Sequence, residues 1–158
     1  MNAPNRHAPA YPHDAVQEIA DDVFAVRGSL LMNPLIRISR NMAVVRHAGE
    51  LSLINPIRLN EAGIGALQRL GRISRILTLG ALHGIDDAWY REHFGVERWA
   101  RPGSRKYPLT ADCRLLDERQ PLPFPEAQLF CFHGTQPESA LLLRRSKGSL
   151  IRSIARTP

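Results

Sequence analysis

The sequence predicts an α/β fold of the α+β sandwich type, with strands grouped early and late and few helices between them. Three observations carry this. Alternating or β-rich runs crowd residues 16–54 and 127–151, and one capped amphipathic helix separates an early hairpin from the strand that follows. The third is RILTLGALHGIDDAWY, Arg75 to Tyr90, where the apolar Ile76, Leu77 and Leu79 give way to a loop holding His83, Asp86 and Asp87 before a short helix. Loops at the carboxyl ends of strands gather ligands, because a rigid sheet lets side chains from several loops converge there. The candidate functional residues are therefore sought in this stretch.

At 158 residues, 44% hydrophobic and 23% charged, the chain has enough apolar material for one cored domain, which excludes wholesale disorder. No apolar run approaches the roughly 18 residues of a membrane span. The opening MNAPNRHAPAYPHD lacks the charged-then-apolar order of a signal peptide. A cytoplasmic protein with no membrane partner is expected. Cys113 and Cys131 stand apart in strand-like segments and read as reduced thiols, with no disulfide or zinc-knuckle spacing. The formal charge is +6, of which Arg144, Arg145, Lys147, Arg152 and Arg156 supply most. That tail brings neither stacking aromatics nor a groove-reading helix, so nucleic acid is not an expected partner.

Residues 1–15, with Pro4, Pro9 and Pro12, read as a flexible lead-in, residues 16–151 as the domain and residues 152–158 as a basic tail. Val16 to Arg27 reads as two extended pieces around an Asp21-Asp22 turn, ended by Gly28. Leu35–Ser39 and Met42–Arg46 follow as β runs. His47-Ala48-Gly49-Glu50 then signals a hairpin, because Gly49 supplies the positive φ a tight turn requires, and Pro56 ends its second strand near Asn55.

Asn60 is an N-cap, Glu61 suits the positive helix end, and Ile64, Leu67 and Leu70 form one stripe before Gly71, giving a helix over residues 61–70. The next strand begins near Ser74. Asp86 or Asp87 is placed to cap the helix that runs to Phe94, with Trp89 and Tyr90 read as core. Val96–Ala100 and Cys113–Leu116 read as short strands. Three prolines at 121–125 make an extended crossing, and Ala127–Phe132, Ser139–Leu143 and Leu150-Ile151 complete the strands.

Between Ile19 and Ile151 the strings DDVFAVRG, GELSLINP, ALQRLG, RISRILTLGALHG, PESALLL and KGSLI together resemble the metallo-β-lactamase superfamily. The resemblance implies an αββα sandwich whose loops at one edge hold one or two metal ions, usually zinc, that activate water. Its His-x-His-x-Asp-His signature, set with the second His on His83, falls on Ala81, His83, Ile85 and Asp86, so only His83 matches by type. The later ligand string falls on Gly134 to Glu138 with Thr135 at the ligand position and His133 two residues early, and the bridging Asp falls near Ile154. Family members continue well beyond GSLI, so the resemblance also implies an incomplete second half of the sandwich.

These assignments lead to a divergent, shortened member that acts as a binding or vestigial domain, with a small-molecule ligand or a protein as partner and no zinc at the standard site. The alternative is a mononuclear metal-dependent hydrolase with His83 and Asp86 as zinc ligands, His133 as a third, and metal-bound water as nucleophile. A last expectation concerns Leu141, Leu143 and Ile151. If the second half is incomplete, their sheet face lacks cover and favours a homodimer through the C-terminal sheet.

Overall fold

The computed structural model describes residues 7–145 and 148–152. It holds a seven-stranded sheet, a three-stranded sheet and two helices. The large sheet takes its strands in chain order: β1 (Gln17–Ala20), β2 (Val23–Asn33), β3 (Ile36–His47), β4 (Glu50–Ile54), β5 (Arg72–Thr78), β6 (Glu97–Ala100) and β7 (Arg114–Leu115). The first four form an antiparallel meander, and β4 to β7 run parallel. Two parallel crossovers carry the helices, α1 (Glu61–Leu70) between β4 and β5 and α2 (Asp87–Phe94) between β5 and β6.

The local chemistry of these elements follows the residues. Ala48 and Gly49, with φ of 50° and 76°, make the two-residue β3–β4 turn, and both signs match the primed hairpin turns that suit twisted strands. Asn60 caps α1, its Oδ1 accepting from the Gly63 backbone N–H at 2.9 Å. Gly71 ends the helix against the β3–β4 turn: a Cβ there would stand 2.6 Å from the Gly49 carbonyl oxygen.

Each face of the large sheet buries its own core. On one face Phe24, Val26, Met42, Val44, Leu51, Leu53 and Ile76 meet Leu67 of α1 and Trp89 and Tyr90 of α2. On the other, Val23, Val45, Ile54, Leu77 and Leu79 meet the small sheet, which is ordered β10 (Ser149–Arg152), β9 (Glu138–Leu143), β8 (Ala127–Phe132). Helices, large sheet and small sheet thus stack as three layers of the expected sandwich.

Two expectations are corrected, and residues 1–6 of the lead-in lie outside the described residues. Gly28 does not end its strand, since β2 continues to Asn33 with Gly28 paired to Arg40; the glycine serves a close approach, a Cβ there standing 3.2 Å from Ile57 Cδ1. Residues 7–15 make defined contacts with the body: His13 Nε2 accepts from the Asn60 N–H at 2.9 Å, Asp14 N–H donates to the Arg27 carbonyl at 2.7 Å, and the Arg58 guanidinium holds the Ala8 carbonyl. The second correction concerns the C-terminal sheet. Leu141 and Leu143 are fully buried on the large sheet, with Ile151 packed beside them, so the face expected to be bare is covered. Ile154 and most of the basic tail lie outside the described residues.

Candidate functional site

The carboxyl ends of β4, β5 and β6 meet the loops 55–60, 79–86 and 101–110, as a parallel arrangement requires. Asn55 joins the first two. At φ 51°, a left-handed conformation that asparagine tolerates, its N–H donates to the Leu77 carbonyl at 2.8 Å and its Oδ1 accepts from the Leu79 N–H at 2.9 Å. The Ala81 N–H donates to the Pro137 carbonyl at 3.0 Å, which ties the His83 loop to the turn before β9.

Asp86, at the end of the loop, and Asp87, the first residue of α2, are both committed to arginines. Asp86 sits at the N-cap position of α2 yet makes no side-chain cap bond. Its Oδ2 instead accepts from Arg40 Nη1 at 2.6 Å and from the Arg58 backbone N–H at 3.0 Å, in a pair almost wholly removed from solvent. Asp87 Oδ2 accepts from Thr78 Oγ1 at 2.6 Å and Arg98 Nε at 2.7 Å. The rest of that guanidinium clamps the following loop through the carbonyls of Pro108 at 3.0 Å and Tyr107 at 3.2 Å. Burial pushes the Asp87 carboxyl upward, against the pull of the Thr78 hydroxyl and Arg98. Its Oδ1 is buried and has no hydrogen-bond partner among the described residues.

His83 is half-buried, with Nε2 enclosed and without a hydrogen-bond partner among the described residues. Desolvation and then the Arg40 charge hold its imidazole below its ordinary range. His133 follows β8 and is exposed. The structure does not assemble the three expected ligands: among the described residues no group of three or more His, Cys, Asp or Glu side chains is placed to hold a metal ion. The cavity at the strand ends, lined by Thr78, Ala81, Arg98, Arg101, Tyr107 and Pro137, has about 10 Å³, roughly the room of one water. Tyr107 occupies the space beside Gly84, where a Cβ would stand 2.6 Å from the ring.

A larger concavity lies on the helical face. It holds about 430 Å³ between α1 and α2, with Leu59, Ile64, Trp89 and Phe94 as apolar walls and Arg58 and Glu61 as charged members. Trp89 has the His93 ring stacked on it at 4.3 Å and the Arg58 guanidinium over its ring at 4.9 Å from the centroid.

The same architecture occurs in solved structures. The DIM-1 metallo-β-lactamase superposes with a TM-score of 0.65 at 11% identity over 84% of this chain and 66% of that one. The chain has the metallo-β-lactamase fold. FIM-1 from Pseudomonas aeruginosa, in its mono-zinc form, gives 0.61 at 12% identity over 84% of this chain and 66% of that one, and a metallo-β-lactamase from Hirschia baltica gives 0.57 at 14% over 81% and 66%. The chain thus spans just under two thirds of the length of these metallo-β-lactamases. No protein-family model matches the sequence, and comparison with curated proteins finds no match.

Within the metallo-β-lactamase fold, the residues that organise the strand ends were only half visible in the sequence. His83, Asp86 and Asp87 stand out by type. Arg40 and Arg98 do not, because an arginine 46 or 11 residues away from its carboxylate carries no local signal. Asn55 carried a weak one, as an asparagine closing a strand before proline.

Proposed function

We propose that this chain is a metallo-β-lactamase-fold binding domain that performs no metal-dependent hydrolysis at its strand ends. The observation that carries this reading is the buried Arg40–Asp86 pair. A catalytic zinc site needs about three protein ligands and an open position for water. Here Ala81 and Ile85 offer no lone pair at two of the matched positions, and Asp86, at a third, already neutralises a guanidinium whose positive charge opposes a cation nearby. The donor set does not fit the metal. His83 is the remaining ligand type, and one imidazole holds no catalytic zinc.

The volumes point the same way. Small-molecule sites occupy roughly 300–1,000 Å³. The strand-end cavity is far below that range, whereas the groove between α1 and α2 lies within it, with aromatic walls and a few polar groups. A small molecule is accordingly the partner this reading assigns, held on the helical face.

The test is turnover of ester, thioester and lactam substrates by wild type and His83→Ala, with folding checked by circular dichroism. The reading expects both proteins to match the uncatalysed rate in the presence of added zinc. Turnover that disappears in folded His83→Ala would refute it.

A further inference from the structure

The β2–β3 hairpin outruns its neighbours. β1 pairs with β2 over residues 23–25, and β4 pairs with β3 over residues 43–47, so among the described residues the outer part has no third strand on either side. Ser29–Asn33 and Ile36–Ser39 project as a two-stranded ribbon, tied to the body at its base where Ser29 Oγ donates to the Pro12 carbonyl at 3.1 Å. An isolated pair of strands is marginal in water and is usually soluble because its residues are polar. This ribbon has the opposite composition. Leu35 at its tip is 94% exposed, Met32 63% and Ile36 50%, with Leu31 and Ile38 also exposed. The tip is nevertheless held in shape, Asn33 Oδ1 accepting from the Leu35 and Ile36 N–H groups at 2.9 and 3.0 Å.

Within the hairpin itself the charge has one sign, although Asp14 lies beside Arg27 at its base. From Val23 to Gly49 the sequence holds four arginines and no acidic residue. Arg40 and Arg46 are paired to Asp86 and Asp22 in the body, whereas Arg27 and Arg37 are exposed on the hairpin and carry no ion pair among the described residues. A second copy meeting it hairpin to hairpin would bring like charges together. A rigid protein partner would need a cleft around a prong that is apolar at its tip and on both strands. A fluid anionic surface accommodates a convex apolar tip with arginines behind it, the tip entering the acyl boundary while the guanidinium groups meet the headgroups.

We propose that the ribbon tip, Leu31 to Ile36 with Ile38, docks the domain peripherally on an anionic lipid bilayer, with Arg27 and Arg37 as headgroup contacts. This goes beyond the binding reading above and does not depend on it. It also departs from the sequence-based expectation of no membrane partner: a peripheral contact needs no spanning helix, and none of the described helices is long and apolar enough to span.

Flotation of the full chain with vesicles tests this, using phosphatidylcholine alone and phosphatidylcholine with about one third phosphatidylglycerol. Wild type should float with the anionic vesicles and remain unbound with the neutral ones, with binding falling severalfold between about 0.1 and 0.5 M salt as screening shortens the attraction. Met32→Asp/Leu35→Asp should lower the bound fraction about tenfold or more, since each change replaces an inserting apolar group by a charge. Arg27→Gln/Arg37→Gln should weaken binding and flatten its salt dependence. All four positions are exposed, so an unchanged thermal transition verifies that each variant folds. Absence of flotation by wild type would overturn the proposal. So would flotation indifferent to Met32→Asp/Leu35→Asp, which assigns lipid contact to another part of the chain, or self-association abolished by that variant, which makes the ribbon a protein contact.

Discussion

Arg40 Nη1 stands 2.6 Å from Asp86 Oδ2, and the same guanidinium holds the Pro56 carbonyl through Nη2 at 3.1 Å. One side chain from the middle of β3 thus binds both the loop after β4 and the start of α2. Removing it strands a buried carboxylate, which typically costs about 3–5 kcal/mol. Arg40→Met should lose stability on that scale in urea denaturation. Arg114→Met, which breaks the exposed pair with Glu97, should stay within about 1 kcal/mol of wild type.

Tyr107, which lines the strand-end cavity beside Gly84, makes a steric prediction. Gly84→Ala introduces a methyl 2.6 Å from the Tyr107 ring, an overpacking worth about 1–3 kcal/mol. Tyr107→Ala opens room for that methyl. Denaturation of the double variant should therefore show a loss smaller than the sum of the two single losses.

His83 sets a pH dependence. Its folded-state pKa is lowered, by desolvation and then by Arg40, so the unfolded chain binds the proton more readily. The resulting stability is fully present above the unfolded value of about 6.5 and is lost as pH falls from there through the lowered folded value. His83→Gln has no proton to gain. Its thermal midpoint should fall less steeply than that of wild type as pH drops below about 6.5.

The two thiols should differ in reactivity. Burial raises the Cys113 thiol, but the Thr110 hydroxyl at 3.1 Å, the Thr110 backbone and Arg98 together bring it below its ordinary value. Cys131 is raised, first by burial. Because the thiolate is the nucleophile, iodoacetamide at neutral pH should label Cys113 severalfold faster than Cys131, as read by peptide mass spectrometry.

What the sequence made legible was local. Asn60, Glu61 and the stripe through Leu67 define α1 within a single window, and Gly49 defines its turn, so both match the structure. Gly28 misled because an isolated glycine signals either a strand end or a close approach, and only the distance to Ile57 distinguishes them. The burial of Leu141 and Leu143 depended on the large sheet folding beneath them, which no residue near β9 records. At the strand ends the visible half was the set of ligand types. The hidden half was the arginines that reach them through tertiary contact, and these turn Asp86 and Asp87 from free ligands into neutralised structural groups.

In the proposed reading, ion pairing takes the place of metal at the strand ends. Elemental analysis of untagged protein, purified without chelators and equilibrated with micromolar zinc before desalting, tests it most directly. The account predicts far less than one zinc per chain, unchanged in His83→Ala. About one zinc per chain, lost in His83→Ala and Asp86→Asn, would contradict it.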